Sequence, residues 1–275
     1  MSKAFPSSVT GCARATFPQG KARYTINRIK TEKVIKMDVS QHVQSVMERI
    51  RQAALAAGRE PGEITLCAAT KVQTDETIRA AIAAGVRVCG ENRVQELVAH
   101  LAADAYAGAE QVHFIGHLQT NKVKQVVGHV DLIQSVGSAH LLQAIQNQAD
   151  KQGLVQDILL EVNIGQEESK GGCMPQEVEA LARQAMDMSA VRLRGLMAIP
   201  PVSAQPGANK PYFAAMRQLF VDIREKMSDN ENDIVCLSMG MSGDFEDAIA
   251  EGATMVRVGS ALFGPRPPMK SHLPS

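Results

Sequence analysis

The strongest constraint in the chain is an alternation. From residue 38 onward, short apolar runs rich in β-branched residues are separated by segments with helical periodicity. The runs are "ITLCAAT" (64–70), "VRVCG" (86–90), "VHFIG" (112–116), "VDLIQS" (130–135), "QDILLEV" (156–162), "LRGLMAI" (193–199), "DIVCLSM" (233–239) and "TMVRVG" (254–259), eight in all. A helical segment precedes the first run and sets Val39, Val43, Val46, Met47, Ile50 and Leu55 on one face, with Gly58 placed to end it. Two later segments, "TDETIRAAIAAG" and "GDFEDAIAEG", carry acids in the first turn, end on glycine and run into a strand reading V-R-V. Strands alternating with helices give a parallel sheet. Eight of them in 275 residues favour closure as a single (β/α)8 TIM barrel of the α/β class. The rival is an open doubly wound sheet, which carries a G-x-G-x-x-G turn after its first strand. "ATKVQT" has no glycine there.

Composition narrows the function classes. Basic and acidic residues number 29 each, so no whole-chain attraction to nucleic acid or anionic membrane follows. With no Trp, 3 Tyr and 7 Phe, few rings are available for base stacking. The five cysteines form no C-x-x-C pair and three lie in apolar runs, which reads as reduced core cysteine in a cytoplasmic protein without a disulfide framework or zinc site. No apolar stretch approaches the ~18–20 residues that span a bilayer. Residues 1–36 carry eight Lys/Arg against the single acid Glu32. They read as a disordered extension ahead of a domain over 37–275, with a mitochondrial-type transit peptide as the alternative.

One lysine stands out. In the first run Ile64, Leu66 and Ala68 share a face, and Thr65, Cys67, Ala69 and Lys71 share the other. In a barrel the bulky face meets the helices, so Lys71 points inward at the C-terminal mouth, where barrel active sites are built. A partly desolvated lysine there loses basicity, to pKa ~7–8, and becomes a nucleophile for carbonyls. The plain alternative is a solvated lysine that ends a strand. "LSMGMSGDFEDAI" (237–249) puts Ser242 or Gly243 near a helix N-cap, and "VRVGSALFG" (256–264) puts Gly259 and Ser260 after the eighth strand. Loops after strands 7 and 8 are the common phosphate site of barrels. Arg257 shares the inward face of strand 8, where it needs a partner. That partner is either a carboxylate such as Glu91 or Glu161, or a ligand acceptor. A carbonyl-reactive lysine, a phosphate cradle and a cation for a ring nitrogen together describe a pyridoxal phosphate site.

"ATKVQTDETIRAAIAAGVRVCGENRVQE", "HFIGHLQTNKVKQV", "EVNIGQEESKGG", "RLRGLMAIP" and "LSMGMSGDFEDAIAEGATMVRVGSALFG" closely resemble the pyridoxal phosphate homeostasis proteins (the YggS/PROSC family). The resemblance runs over about residues 38–266. It implies a barrel like the alanine racemase N-terminal domain (fold type III), with pyridoxal 5′-phosphate (PLP) held as a Schiff base on the lysine that aligns with Lys71. It further implies that Ser242, Gly259 and Ser260 lie at the phosphate, Arg257 faces the pyridine nitrogen, and Asn92 and Met239 line the site, with no metal. The loops 116–122 and 163–172 are family-typical without an assigned chemistry. His113 and His117 make no metalloprotease motif. Racemases of this barrel type add a tyrosine base from a separate β-domain. The chain ends shortly after "LFGPR", and neither Tyr106 nor Tyr212 matches a racemase motif. The expectation is therefore a monomeric cofactor carrier that balances vitamin B6 and hands PLP to PLP-dependent apoenzymes. A PLP-dependent racemase or Schiff-base lyase is the alternative.

Overall fold

A computed structural model describes residues 39–264, apart from 169, 204 and 228–233. The expected extension over 1–36 lies outside the described residues, so the domain reading applies here to 39–264. Helix α1 covers residues 39–56. It is followed by β1 (Thr65–Ala69), α2 (Asp75–Ala83), β2 (Val88–Glu91), α3 (Val94–Ala102), β3 (Gln111–Phe114), β4 (Leu132–Val136), α4 (Ala139–Gln152) and β5 (Gln156–Val162). The remaining elements are α5 (Val178–Met186), β6 (Val191–Ala198), α6 (Lys210–Met227), β7 (Cys236–Ser238), α7 (Phe245–Ala250), β8 (Met255–Val258) and α8 (Ser260–Phe263). The strands pair in chain order and close, all parallel, with Cys67 beside Arg257 across the β1–β8 seam. All eight expected strands are present. The seventh is the most shortened, to three residues.

Local chemistry sets the helices. Thr74 and Ser138 side chains accept from Thr77 N–H and Leu141 N–H at the starts of α2 and α4. Gly153, at φ 65°, ends α4 in the left-handed region where glycine pays no Cβ penalty. In α1 the buried stripe is Val39, Val43, Val46, Ile50 and Ala54. Leu55, expected on that stripe, stands 48% exposed, because the 3.6-residue period carries the stripe through Ala54 instead.

The sheet has two unlike faces. Outward side chains such as Ile64, Ala68, Ile133, Ile158, Leu160, Leu196, Leu237 and Val256 pack against the helices as the main core. The inward set is smaller: Cys67, Ala69, Val88, Ile115 and Met255 in one group, and Leu132, Leu159 and Met197 in another. The strand-1 assignment of Cys67 and Ala69 to the inside therefore holds. In β6, Gly195 lies at φ 150° beside β7, and its missing Cβ leaves room for the Cys236 carbonyl oxygen; a methyl there would sit 1.8 Å from it. Among the described residues no helix is long and apolar enough to cross a membrane.

Candidate functional site at the C-terminal mouth

The turn after β1 presents Lys71. Thr70 N–H donates to the Gly90 carbonyl, which ties the strand end to β2, and Gln73 N–H donates back to the Thr70 carbonyl. Between them Val72 lies at φ 58°, an outlier for a β-branched residue. Its N–H donates to Glu96 Oε2 at 2.8 Å, an anchor from α3 that holds the strained turn. Lys71 is half-buried and lines a cavity of about 290 Å³.

The same cavity takes in Ser242 and Gly243 from the loop after β7, and Arg257, Gly259 and Ser260 from β8 and the turn beyond it. Gly259 lies against Ala69, where an added Cβ would stand 3.4 Å from the Ala69 methyl. Ser242 or Gly243 was expected near the N-cap of the helix that follows; Asp244 is the N-cap itself, with Gly243 just before it. Ser242 crosses to the next turn, where its Oγ accepts from Gly259 N–H at 3.1 Å and Ala261 N–H at 3.3 Å. Two backbone donors thus converge on one oxygen at the cavity wall, the arrangement an anionic oxygen would share.

Arg257 points into the barrel and is 4% exposed. Neither proposed carboxylate pairs with it. Its guanidinium donates to Ser238 Oγ at 2.5 Å and to the Ala198 carbonyl at 2.9 Å, both neutral. Burial pushes its pKa down, against the pull of Glu161 and nearby thiols. Glu91 faces the other way: Val88 and the Gly90 position are inside, so Cys89 and Glu91 are outside. There Glu91 accepts from Thr70 Oγ1, Asn92 N–H and Tyr106 O–H, and burial raises its pKa.

Two expected lining residues do not reach this cavity. Met239 is fully buried in the outer core, because Ser238 takes the inward position and alternation sends its neighbour outward. Met241 lines the cavity in its place. Asn92 sits at the mouth beyond β2, and its Oδ1 is buried with no hydrogen-bond partner among the described residues. Gln73 and Phe263 also line the cavity without having been anticipated.

The two family-typical loops meet. Residues 117–121, with Ser135, Gly137, Ser138, Glu161, Gly171 and Gly172, enclose a second cavity of about 610 Å³ on the β3–β5 side of the mouth. The Glu161 carboxyl faces it, with its pKa raised by burial against the pull of Arg257 and His117. Among the described residues no group of three or more His, Cys, Asp and Glu could hold a metal.

The model of the alanine racemase N-terminal domain matches residues 41–267. The pyridoxal phosphate homeostasis protein of Aquifex aeolicus is 43% identical over 231 residues, 84% of this chain and 99% of that protein. The chain belongs to the pyridoxal phosphate homeostasis protein family. The family member from Pseudomonas aeruginosa is 39% identical over 83% of this chain and 96% of its own length. Among solved structures, PipY of Synechococcus elongatus with PLP bound superposes at a TM-score of 0.68 with 34% identity, over 80% of this chain and all of PipY. The family's barrel is the one described above. Within it, Lys71, Ser242, Arg257, Gly259 and Ser260 share one cavity.

Proposed function

We propose that this protein binds pyridoxal 5′-phosphate through Lys71 and serves intracellular vitamin B6 homeostasis by holding and releasing it. The observation that carries the reading is the single cavity lined by Lys71, Ser242, Arg257, Gly259 and Ser260, in a chain whose relatives are named for PLP homeostasis. The residues fit the group: an amine, the Ser242 hydroxyl on which two backbone N–H donors converge, and a buried guanidinium line one space.

PLP supplies an electrophilic aldehyde conjugated to a pyridine ring, with a phosphate as its handle. Lys71 offers the amine for the aldehyde carbon. Ser242 Oγ and the amides of Gly259 and Ala261 would hold the phosphate, with the Ser260 hydroxyl beside them. Arg257 would meet the ring nitrogen. A guanidinium only donates, so it keeps that nitrogen unprotonated and the ring a weak electron sink. Holding and release need no second base, and among the described residues no tyrosine supplies one. Tyr106 gives its hydroxyl to Glu91 in the outer layer, and Tyr212 lies on α6 away from the cavity. The cavity opens at the barrel mouth, from which the bound cofactor would be passed to apoenzymes by a monomeric carrier. Free buried thiols at Cys67, Cys89 and Cys173 suit a cytoplasmic setting.

The test is an absorbance spectrum before and after borohydride, with peptide mapping of the reduced protein. The expected result is a visible band and label on Lys71, both lost in Lys71→Ala. A band that survives in that variant overturns the assignment. Incubation with a panel of L-amino acids and chiral analysis separates carrier from racemase. Turnover well above free cofactor would establish the enzyme reading.

A further inference from the structure

Below the cavity, the barrel interior holds a continuous polar chain on four strands. Arg257 (β8) donates to Ser238 Oγ (β7) at 2.5 Å, and Ser238 O–H donates to Gln134 Oε1 (β4) at 2.7 Å. Gln134 Nε2 stands 2.9 Å from His113 Nδ1 (β3) and 3.1 Å from Met255 Sδ. His113 Nε2 stands 2.9 Å from Gln111 Oε1. Gln134, Ser238 and His113 are all buried, at 0%, 0% and 1% exposure, so no bulk water competes for these positions.

The directions of these bonds follow from a donor-only group at Arg257 and an acceptor-only sulfur at Met255. A guanidinium has donors and no acceptor, so Ser238 Oγ must accept from it. The Met255 thioether has no proton to give, so the end of the Gln134 amide that faces it is the NH2, and the glutamine oxygen, turned toward β7, takes the serine proton. The amide's two protons face His113 Nδ1 and Met255 Sδ. His113 must therefore accept at Nδ1, carry its proton on Nε2 and give it to Gln111. An amide flip sets the glutamine oxygen against the Met255 sulfur, acceptor against acceptor, and an Nδ1–H tautomer sets a donor against the Gln134 NH2, each in a buried space and each costly. Burial also holds His113 neutral, with its pKa lowered to about 3.

We propose that Gln134 and His113 are positioning residues whose hydrogen-bonded chain through Ser238 fixes the orientation of the Arg257 guanidinium at the floor of the Lys71 cavity. Arg257 has no carboxylate among its hydrogen-bond partners, so its orientation rests on Ser238 and the Ala198 carbonyl alone. Ser238 is in turn aimed by Gln134, two residues removed from the cavity wall. The service this orientation gives to a bound pyridine ring rests on the function proposed above; the positioning itself does not.

The experiment uses NMR on the full chain without cofactor. Long-range 1H–15N spectra at neutral pH should show His113 as the neutral Nε2–H tautomer. Rotation about the Arg257 Cζ–Nε bond should be slow, at least tenfold faster in Gln134→Met and in Ser238→Ala, and slow again in the hydroxyl-retaining Ser238→Thr. An Nδ1–H tautomer, an imidazolium at neutral pH, or unchanged rotation in folded Gln134→Met would each overturn the proposal. Where a variant fails to fold, the wild-type tautomer decides alone. Failure of borohydride to label Lys71 would remove the cofactor reading and leave the tautomer and rotation results standing.

Discussion

Replacing Arg257 by Met should leave the stability of the cofactor-free protein nearly unchanged while abolishing tight PLP binding. The side chain is 4% exposed and its partners are one hydroxyl and one carbonyl. Burying an ion costs several kcal/mol, offset only by good pairing. Here the return is two hydrogen bonds from a charged group, about 1.5–3 kcal/mol each. In Arg257→Met the Ala198 carbonyl loses its donor, a penalty of about 1–3 kcal/mol. Ser238 keeps its bond to Gln134, and an unbranched apolar chain fills most of the volume. Gains and losses nearly cancel, so the change should lie within about 2 kcal/mol of zero. Urea unfolding of both proteins without cofactor reads it directly. A loss above about 3 kcal/mol would mark Arg257 as a structural cation with compensation that the geometry lacks, and would refute the reasoning. Unchanged PLP affinity in the same variant would refute its role at the ring.

Other perturbations follow from the same geometry. Ser242→Ala removes the oxygen on which Gly259 and Ala261 N–H converge, and should cost about 1 kcal/mol in unfolding and weaken phosphate-bearing ligands more than pyridoxal. Glu161→Gln should raise the melting temperature at pH 7 and make no difference near pH 4. The folded-state pKa of Glu161 is raised from the ordinary 4.5, so its penalty is absent below that value and grows as pH rises through the raised one. Gly195→Ala forces a methyl to 1.8 Å from the Cys236 carbonyl oxygen and should destroy soluble expression, since backbone blocks the shift that would relieve it. Cys89 and Cys173, buried and with pKa values pushed up to about 12 by burial, should resist a thiol-reactive dye until urea unfolds the chain.

Much of the fold is readable along the chain because its signals are local. Alternation of two places Lys71 and Arg257 on the inward face, apolar runs mark each strand, and cap residues such as Thr74 and Ser138 mark helix starts. The same rule applied to β2 already turns Glu91 outward, and applied after β7 it turns Met239 away from the cavity. What it cannot supply is the partner across the barrel. Ser238 meets Gln134 from 104 positions away and Met255 meets it from 121, so that contact depends on register and closure. Ser242 caps the turn after β8 for the same reason: its loop folds toward α8, a preference no neighbouring residue encodes. The loops 116–122 and 163–172 look unconnected in sequence, yet they join in one cavity because β3, β4 and β5 are adjacent in the closed sheet. The sequence by itself determined the barrel and the inward lysine, since backbone sterics and period act between neighbours. Only the tertiary structure decided which neutral groups hold Arg257, because a buried guanidinium takes whatever acceptors the closed sheet brings within reach.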